Sequence, residues 1–286
     1  MSSFTLPAPA KLNLFLHITG QRDDGYHTLQ TVFQLLNQGD TLTYTLNDSK
    51  QINFSCNNPS LEGPHNLVMQ AATSLLEKTG ISQGTDIHLD KILPEGGGLG
   101  GGSSNAATTL LALNRLWNCK LETNELAQLG LALGADVPVF IHGQTAWAEG
   151  IGENLHPIDI PERWYLVLTP DCQVSTKAIF THPELTRHTD PIKIPAFPFP
   201  GSRNDCQMLV SSLYSPVKKV LDWLSGFAEA RMTGTGASIF AAFETEQAAQ
   251  QVLDLVPEQA PENTNAFIAR GVNISPLHQA INEIGL

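Results

Sequence analysis

Charge is scarce in this chain. Only 15% of its 286 residues are Asp, Glu, Lys or Arg, well below the quarter usual in soluble proteins. Positive charge is scarcer still: 16 Lys and Arg stand against 28 Asp and Glu, a net charge of −12. That deficit excludes a broad basic surface of the kind that holds nucleic acid or an anionic membrane. With 42% hydrophobic residues, the low charge also excludes disorder. There are only four cysteines, at 56, 119, 172 and 206, in no Cys-x-x-Cys or Cys/His ligand spacing, so no structural zinc site is expected. Scattered thiols read as the reduced cysteines of a cytoplasmic protein. The N-terminus lacks a basic segment followed by an apolar one, and no apolar run reaches the length of a membrane span. The length suits one large domain or two of ordinary size.

What is present begins with strand-like alternation. Over residues 11–18, Leu12, Leu14, Leu16 and Ile18 face one way and Lys11, Asn13, Phe15 and His17 the other, which predicts a half-buried strand. A polar turn, Arg22-Asp23-Asp24-Gly25, leads into Tyr26 and His27. Strands are predicted again at 41–46, near 52–56 and at 86–93. Helical spacing marks residues 67–76 with Gly80 as the stop, then 103–117 and 123–133. Beyond a compact apolar run at 164–169 come a proline-rich loop at 191–200 and a helix ending at Leu224. Strands near 228–233 and 239–243, a helix at 246–256 and a strand at 266–272 complete the order. From residue 164 this is β-α-β-β-α-β, the split βαβ arrangement of a ferredoxin-like domain. The domain change is placed near residue 160.

Six glycines fall among the seven residues 96–102, between a predicted strand and a predicted helix. Glycine permits positive φ and lets backbone N–H groups approach a ligand closely. The helix that follows adds unpaired N–H groups and the positive end of its dipole. Together these suit a phosphate, whereas a flexible linker rarely opens directly into an Ala/Leu-rich helix. A Walker A loop is excluded, because no Gly-Lys-Ser/Thr tripeptide exists. The dinucleotide fingerprint is formally matched by residues 96–101. Its continuation fails, since the second strand it requires is replaced by helical spacing at 121–133.

Other residues carry open alternatives. Lys11 and Asn13 share a strand face, where a lysine is ordinarily solvated. Asp136, in Gly134-Ala135-Asp136-Val137-Pro138, suits either a helix cap or a carboxylate that accepts a proton from a hydroxyl. Tyr26-His27 offers a plane and an edge for reading a base, or a tyrosine anchoring its loop. Residues 232–238 form a small-residue turn, either a plain hairpin or a close approach of backbone to ligand. The nine histidines have no metal-ligand spacing.

Three of these segments agree with one another. Pro9-Ala10-Lys11-Leu12-Asn13-Leu14, the stretch from Pro94 to Ala107, and Thr233-Gly234-Thr235-Gly236-Ala237-Ser238 resemble the three motifs of the GHMP kinase superfamily, in the expected order along essentially the whole chain. The triple-glycine loop with Ser-Ser-Asn-Ala-Ala, Gly25-Tyr26-His27 and the segment around Asp136 resemble more narrowly one branch of it. That branch phosphorylates the 2-hydroxyl of 4-diphosphocytidyl-2-C-methyl-D-erythritol on the methylerythritol phosphate route to isopentenyl diphosphate.

The resemblance implies an α+β, two-domain GHMP kinase fold: a ribosomal-protein-S5-like ATP-binding domain over 1–160 and a ferredoxin-like domain over 161–286. It implies ATP and Mg2+ as cofactors, with ATP held by Pro94, Gly96, Gly97, Gly98, Leu99, Gly100, Gly101, Gly102, Ser103 and Ser104, and by Asn66, Leu67 and Lys91 near the adenine. It implies Lys11 and Asp136 as catalytic residues, Tyr26 and Phe180 sandwiching a cytosine that His27 hydrogen-bonds, and Asn13 and Thr176 positioning the substrate alongside Asp136. No metal ligand on the protein is implied. The expected partners are small molecules, neither nucleic acid nor membrane, with the chain a monomer or weak homodimer. Asn204-Asp205 also resembles a family motif, with no chemistry assigned.

Overall fold

A computed structural model describes residues 3–194, 197 and 199–284. In the first half, β1 (Ser3–Gln21) and β2 (His27–Asn47) form a long antiparallel hairpin closed by the turn at 22–26. There follow β3 (Ile52–Cys56), α1 (Leu67–Thr79), β4 (Gly84–Asp90), α2 (Gly101–Leu116), α3 (Thr123–Leu133), α4 (Val137–His142), β5 (Ala146–Glu149) and β6 (Asn154–Pro157). The second half contains β7 (Trp164–Pro170), α5 (Thr176–Thr181), α6 (Gln207–Leu213), α7 (Ser215–Leu224), β8 (Ala230–Met232) and β9 (Ile239–Phe243). It ends with α8 (Glu246–Leu253), α9 (Val256–Gln259), β10 (Thr264–Val272) and α10 (Pro276–Ile284).

One strand organises both halves. Along one edge β2 pairs β1 from end to end. Along the other it meets β4 through residues 41–47, β10 at Leu35 and Leu36, and β5 through residues 31–33. The second half runs in the order β10-β7-β9-β8, all antiparallel. Numbered along the chain within this half, the strands lie in the order four, one, three, two, the ferredoxin-like order expected from the chain.

Three apolar clusters fill the molecule. The first packs α1, α2, α3 and α4 on the first sheet, and α10 returns to it through Leu277 and Ile281. The second lies between the second sheet and its helices. The third joins them at the middle of β1, through Leu12, Phe15, Leu99, Trp147, Tyr165 and Phe199.

Local departures from expectation have local causes. β1 is buried on both faces from residue 8 to residue 18, not half-buried. Irregular pairing between Asn13 and Leu16 shifts its faces, so Leu14 and Phe15 serve the middle cluster while Leu16 and Ile18 serve the second. β4 stops at Asp90 because side-chain oxygens capture the N–H groups that follow: Asn57 Oδ1 accepts from Lys91 N at 2.9 Å, and the Asp40 carboxylate from Ile92 N and Leu93 N, each at 2.8 Å. The helix expected up to Leu224 is split at Tyr214, which is extended ahead of Ser215-Pro216. Proline supplies no N–H to continue the first helix, but suits the start of the next. Pro257 divides α8 from α9 in the same way. In the loop at 191–200, Ile192 and Phe199 lie against the first hairpin: Gln30 exchanges two hydrogen bonds with Ile192, and Phe199 packs on Phe15. Residues 195, 196 and 198 of that loop lie outside the described residues.

Candidate active site

The glycine segment enters α2 without any side-chain cap. Gly96, Gly98 and Gly100 adopt φ of 66°, 74° and 73°, and Gly100 occupies the cap position of α2 with no side chain to offer. The first amides of α2 therefore remain available to an anion. Ser104, in the first turn, is fully buried, and its hydroxyl oxygen has no partner. Leu99 is the loop's anchor. It is 1% exposed within the middle cluster, and burying a leucine is worth about 2 kcal/mol. Its side chain thus holds the loop, while its backbone carbonyl accepts from Lys11 N at 2.9 Å.

The turn at 232–238 joins β8 to β9 as a hairpin and presses against this loop. Ser238 N donates to Gly97 O at 3.1 Å, and Thr233 Oγ1 donates to Gly98 O at 3.3 Å. A methyl group on Gly98 would stand 2.4 Å from Thr233 O, so glycine is required by both space and φ. Asn204 explains itself here. Its amide donates to Met232 O and Gly234 O at 2.7 and 2.8 Å, fixing the turn. Asp205 accepts from Ile18 N at 2.7 Å and pairs with Arg203, tying the same segment to β1.

Lys11 is not solvated. It is 2% exposed and donates to Asn13 Oδ1 at 2.6 Å and Gly98 O at 3.0 Å. Its Nζ also lies 3.2 Å from Asp136 Oδ2. Asn13 is fully engaged: its Nδ2 donates to Thr31 Oγ1 at 3.0 Å and its N to Thr233 Oγ1 at 2.9 Å. Asp136 occupies the cap position of α4, yet its side chain makes no capping bond. It is spent on Lys11 instead and stays 34% exposed, open to the cleft.

That cleft, about 760 Å³, brings Lys11, Asn13, Ser103 and Asp136 together with Tyr26, His27, Thr176 and Phe180. Tyr26 is 59% exposed at the rim. His27 and Phe180 lie with ring centroids 5.1 Å apart, tilted by 31°. Thr176 shares a 2.9 Å hydrogen bond with Thr235 of the turn. Burial, and then the neighbouring Arg187, lowers the pKa of His27 below the ordinary imidazole value, so the ring is neutral near pH 7.

The remaining expected residues sit on the opposite side of the glycine loop. Leu67, the first residue of α1, would touch a methyl on Gly102 at 3.4 Å, and Lys91 Nζ would lie 3.0 Å from one on Gly101. Pro94 would similarly meet Gly97 at 3.3 Å. Asn66 caps α1, its Oδ1 accepting from Val68 N at 2.9 Å and its Nδ2 donating to Leu61 O at 3.0 Å, so both ends of the amide are occupied. Sequence reasoning passed over Asp40. It is 1% exposed and accepts from Lys91 Nζ at 2.7 Å as well as from two backbone N–H groups. A lone carboxylate in a strand carries no local signature. Thr31 and Arg187 were missed too, because their partners, Asn13 and His27, lie far from them in sequence.

Comparison with known proteins fits this geometry. The model for the GHMP kinases N terminal domain matches residues 66–144, and the GHMP kinases C terminal model matches residues 200–262. A crystal structure of 4-(cytidine 5'-diphospho)-2C-methyl-D-erythritol kinase is 30% identical, with a TM-score of 0.79 over 94% of this chain and 100% of that one. This chain belongs to the GHMP kinase family. Homoserine kinase from Cytophaga hutchinsonii is 18% identical, with a TM-score of 0.63 over 96% of each chain. Methanococcus jannaschii mevalonate kinase is 14% identical, with a TM-score of 0.68 over 95% of this chain and 98% of that one. Both share the fold. As a GHMP kinase the chain is a phosphotransferase, and GHMP kinases use ATP. Among the described residues no helix is long and apolar enough to cross a membrane.

Proposed function

We propose that this GHMP kinase transfers the γ-phosphoryl group of ATP to the 2-hydroxyl of 4-diphosphocytidyl-2-C-methyl-D-erythritol, a step of the methylerythritol phosphate route to isopentenyl diphosphate. The observation that carries this reading is the company kept in one cleft. Tyr26, His27 and Phe180 supply flat faces and a polar edge beside the Lys11–Asp136 pair. Mevalonate and homoserine have no base for such a slot to hold. The neighbour with 30% identity over 94% of this chain is named for this substrate.

In this reading residues 1–160 supply the nucleotide side and residues 161–286 the ferredoxin-like side, with α10 crossing back to the first core. The ATP phosphates lie along residues 96–104, on the amides of the loop and of the uncapped α2. The unpartnered Ser104 hydroxyl and the Lys91 ammonium, beside Gly101, fit that polyanion. Lys91 therefore faces phosphate rather than adenine. Bound together with ATP, Mg2+ would supply neutralisation of the polyphosphate charge. Among the described residues no cluster of three or more His, Cys, Asp or Glu is present, and no protein ligand is assigned to the ion.

The acceptor oxygen forms the new P–O bond as the bond to the β-phosphate oxygen breaks, and Asp136 takes the hydroxyl proton. The transition state for phosphoryl transfer is loose, so orientation and charge stabilisation outweigh deprotonation. Lys11 pairs with Asp136 and offsets charge on the transferring group. Asn13 holds Lys11, and Thr176 positions the substrate through the turn at Thr235. The enzyme acts in the cytoplasm, as a monomer or weak homodimer.

A coupled ADP-release assay with the diphosphocytidyl acceptor, mevalonate and homoserine tests the proposal. Turnover with the first alone is expected. Preference for either of the others would reassign the substrate, and ATP binding without ADP release on any acceptor would make the chain a non-catalytic nucleotide binder.

A further inference from the structure

Arg187, on the loop after α5, spends its donors inward. Its Nε donates to His27 Nε2 at 3.0 Å, across 160 residues of sequence. Its NH2 donates to Phe180 O at 2.9 Å and His182 O at 2.7 Å, and its NH1 to Leu185 O at 3.2 Å. Among the described residues it makes no ion pair. Four bonds from one half-buried guanidinium, none to a carboxylate, are unusual for an arginine serving only as a surface charge.

The bond to His27 has a chemical consequence. A guanidinium does not lose its proton in proteins, so Nε2 of the imidazole must be the acceptor. A neutral imidazole that accepts at Nε2 carries its proton on Nδ1. The bonds to Phe180 O and His182 O meanwhile fix the last turn of α5, which bears the Phe180 ring. One side chain therefore sets the tautomer of one base-slot residue and the placement of the other.

We propose that Arg187 is a positioning residue for base recognition: it holds His27 as an Nδ1–H donor and Phe180 against it, so the slot favours a pyrimidine whose edge presents adjacent acceptors. Cytosine offers N3 and O2 side by side. Uracil carries a proton at N3 and meets the same donor with a donor. The inference rests on the substrate assignment above for its ligand, but not for the tautomer.

Two measurements separate them. Long-range proton–nitrogen NMR of the ligand-free protein reads the His27 tautomer directly. The Nδ1–H form is expected in the native chain, and a mixture with Nε2–H in Arg187→Gln. A native Nε2–H form would overturn the proposal whatever the substrate is. Steady-state assays then compare the diphosphocytidyl acceptor with its uridine counterpart. Arg187→Gln should raise KM for the cytidine acceptor about tenfold and erode cytidine-over-uridine preference by a similar factor, with KM for ATP moving less than twofold. Arg187→Lys, which keeps the charge but loses the fork, should fall between. Equal losses on ATP KM, kcat and acceptor KM would reveal a merely structural role and reject the inference. If Arg187→Gln does not fold, Arg187→Lys and the native tautomer still decide it. No turnover of the cytidine acceptor by the native enzyme would instead reject the substrate assignment, leaving the tautomer result to stand or fall alone.

Discussion

Asp136→Asn is the sharpest perturbation of the proposed site, because it exchanges a charge for an amide of the same shape. In the native chain Lys11 Nζ stands 3.2 Å from Asp136 Oδ2. At an effective dielectric near 20 that separation corresponds to about 5 kcal/mol of gross attraction, much of it offset by the cost of desolvating both groups. The ammonium is not stranded by the change, since Asn13 Oδ1 and Gly98 O remain within reach at 2.6 and 3.0 Å. Asp136 is also 34% exposed, so the expected loss of stability is modest, about 1–2 kcal/mol. Catalysis should suffer more. Losing a positioned proton acceptor removes roughly 10²–10⁴-fold in rate, and the asparagine can neither take the proton nor balance Lys11. Steady-state ADP release should therefore show kcat down about 10³-fold, near 4 kcal/mol of barrier, with both KM values within about threefold. Thermal unfolding run in parallel separates folding from chemistry. A folded variant whose kcat stays within tenfold of the native value would refute the role of Asp136.

Three other perturbations follow from the same geometry. Gly98→Ala places a methyl 2.4 Å from Thr233 O at a φ of 74°. It should lower Tm and raise KM for ATP at least tenfold, read by differential scanning calorimetry and kinetics; an unchanged ATP KM would mean the loop does not carry the nucleotide. Asp40→Ala strands Lys91 and two backbone N–H groups, and breaking a buried pair in this way costs about 3–5 kcal/mol. Urea unfolding should show it, and a loss under 1 kcal/mol would mean that Asp40 is not holding the 91–93 segment. Burial depresses the pKa of His17, His27, His142 and His278 below the unfolded value of 6.5. Between the lowered folded values and 6.5 the unfolded chain binds more protons than the folded one, so stability rises with pH there. Tm should be level above about pH 7 and fall progressively below 6.5; a Tm that rises on acidification to pH 5.5 would contradict the burial of these rings.

Much of the candidate site was legible because its parts are local. The glycine run, the Tyr26-His27 pair after a turn and the helix at Thr123–Leu133 each announce themselves within a few residues. α3 even carries its own start signal, with Glu125 Oε2 accepting from Glu122 N at 3.0 Å. What was not legible depends on partners far apart in sequence. Nothing near Arg187 points to His27, nothing near Asp40 points to Lys91, and nothing in α10 says that Leu277 and Ile281 return to the first core. The burial of β1 on both faces was hidden for a related reason. Alternation reports one face at a time, and the irregular pairing between Asn13 and Leu16 moves that face from one cluster to another. Short pieces such as α4, β5 and β6 lacked the length needed for periodicity to show.

The scarcity of positive charge acquires a physical meaning once the lysines are placed. Lys11 and Lys91, which flank the glycine loop, are each held by a carboxylate, Asp136 and Asp40. Each pair is close to neutral from a distance, so the cleft does not draw polyanions by a long-range field. Attraction begins only at contact, where loop amides and the α2 terminus present fixed donors. Under the proposed assignment such an arrangement forgoes electrostatic steering and gains orientation, because both ammonium groups are already pinned by their carboxylates. For a loose phosphoryl transfer, in which placement outweighs affinity, that exchange is favourable. A chain with a net charge of −12 can therefore handle phosphate chemistry without a basic surface.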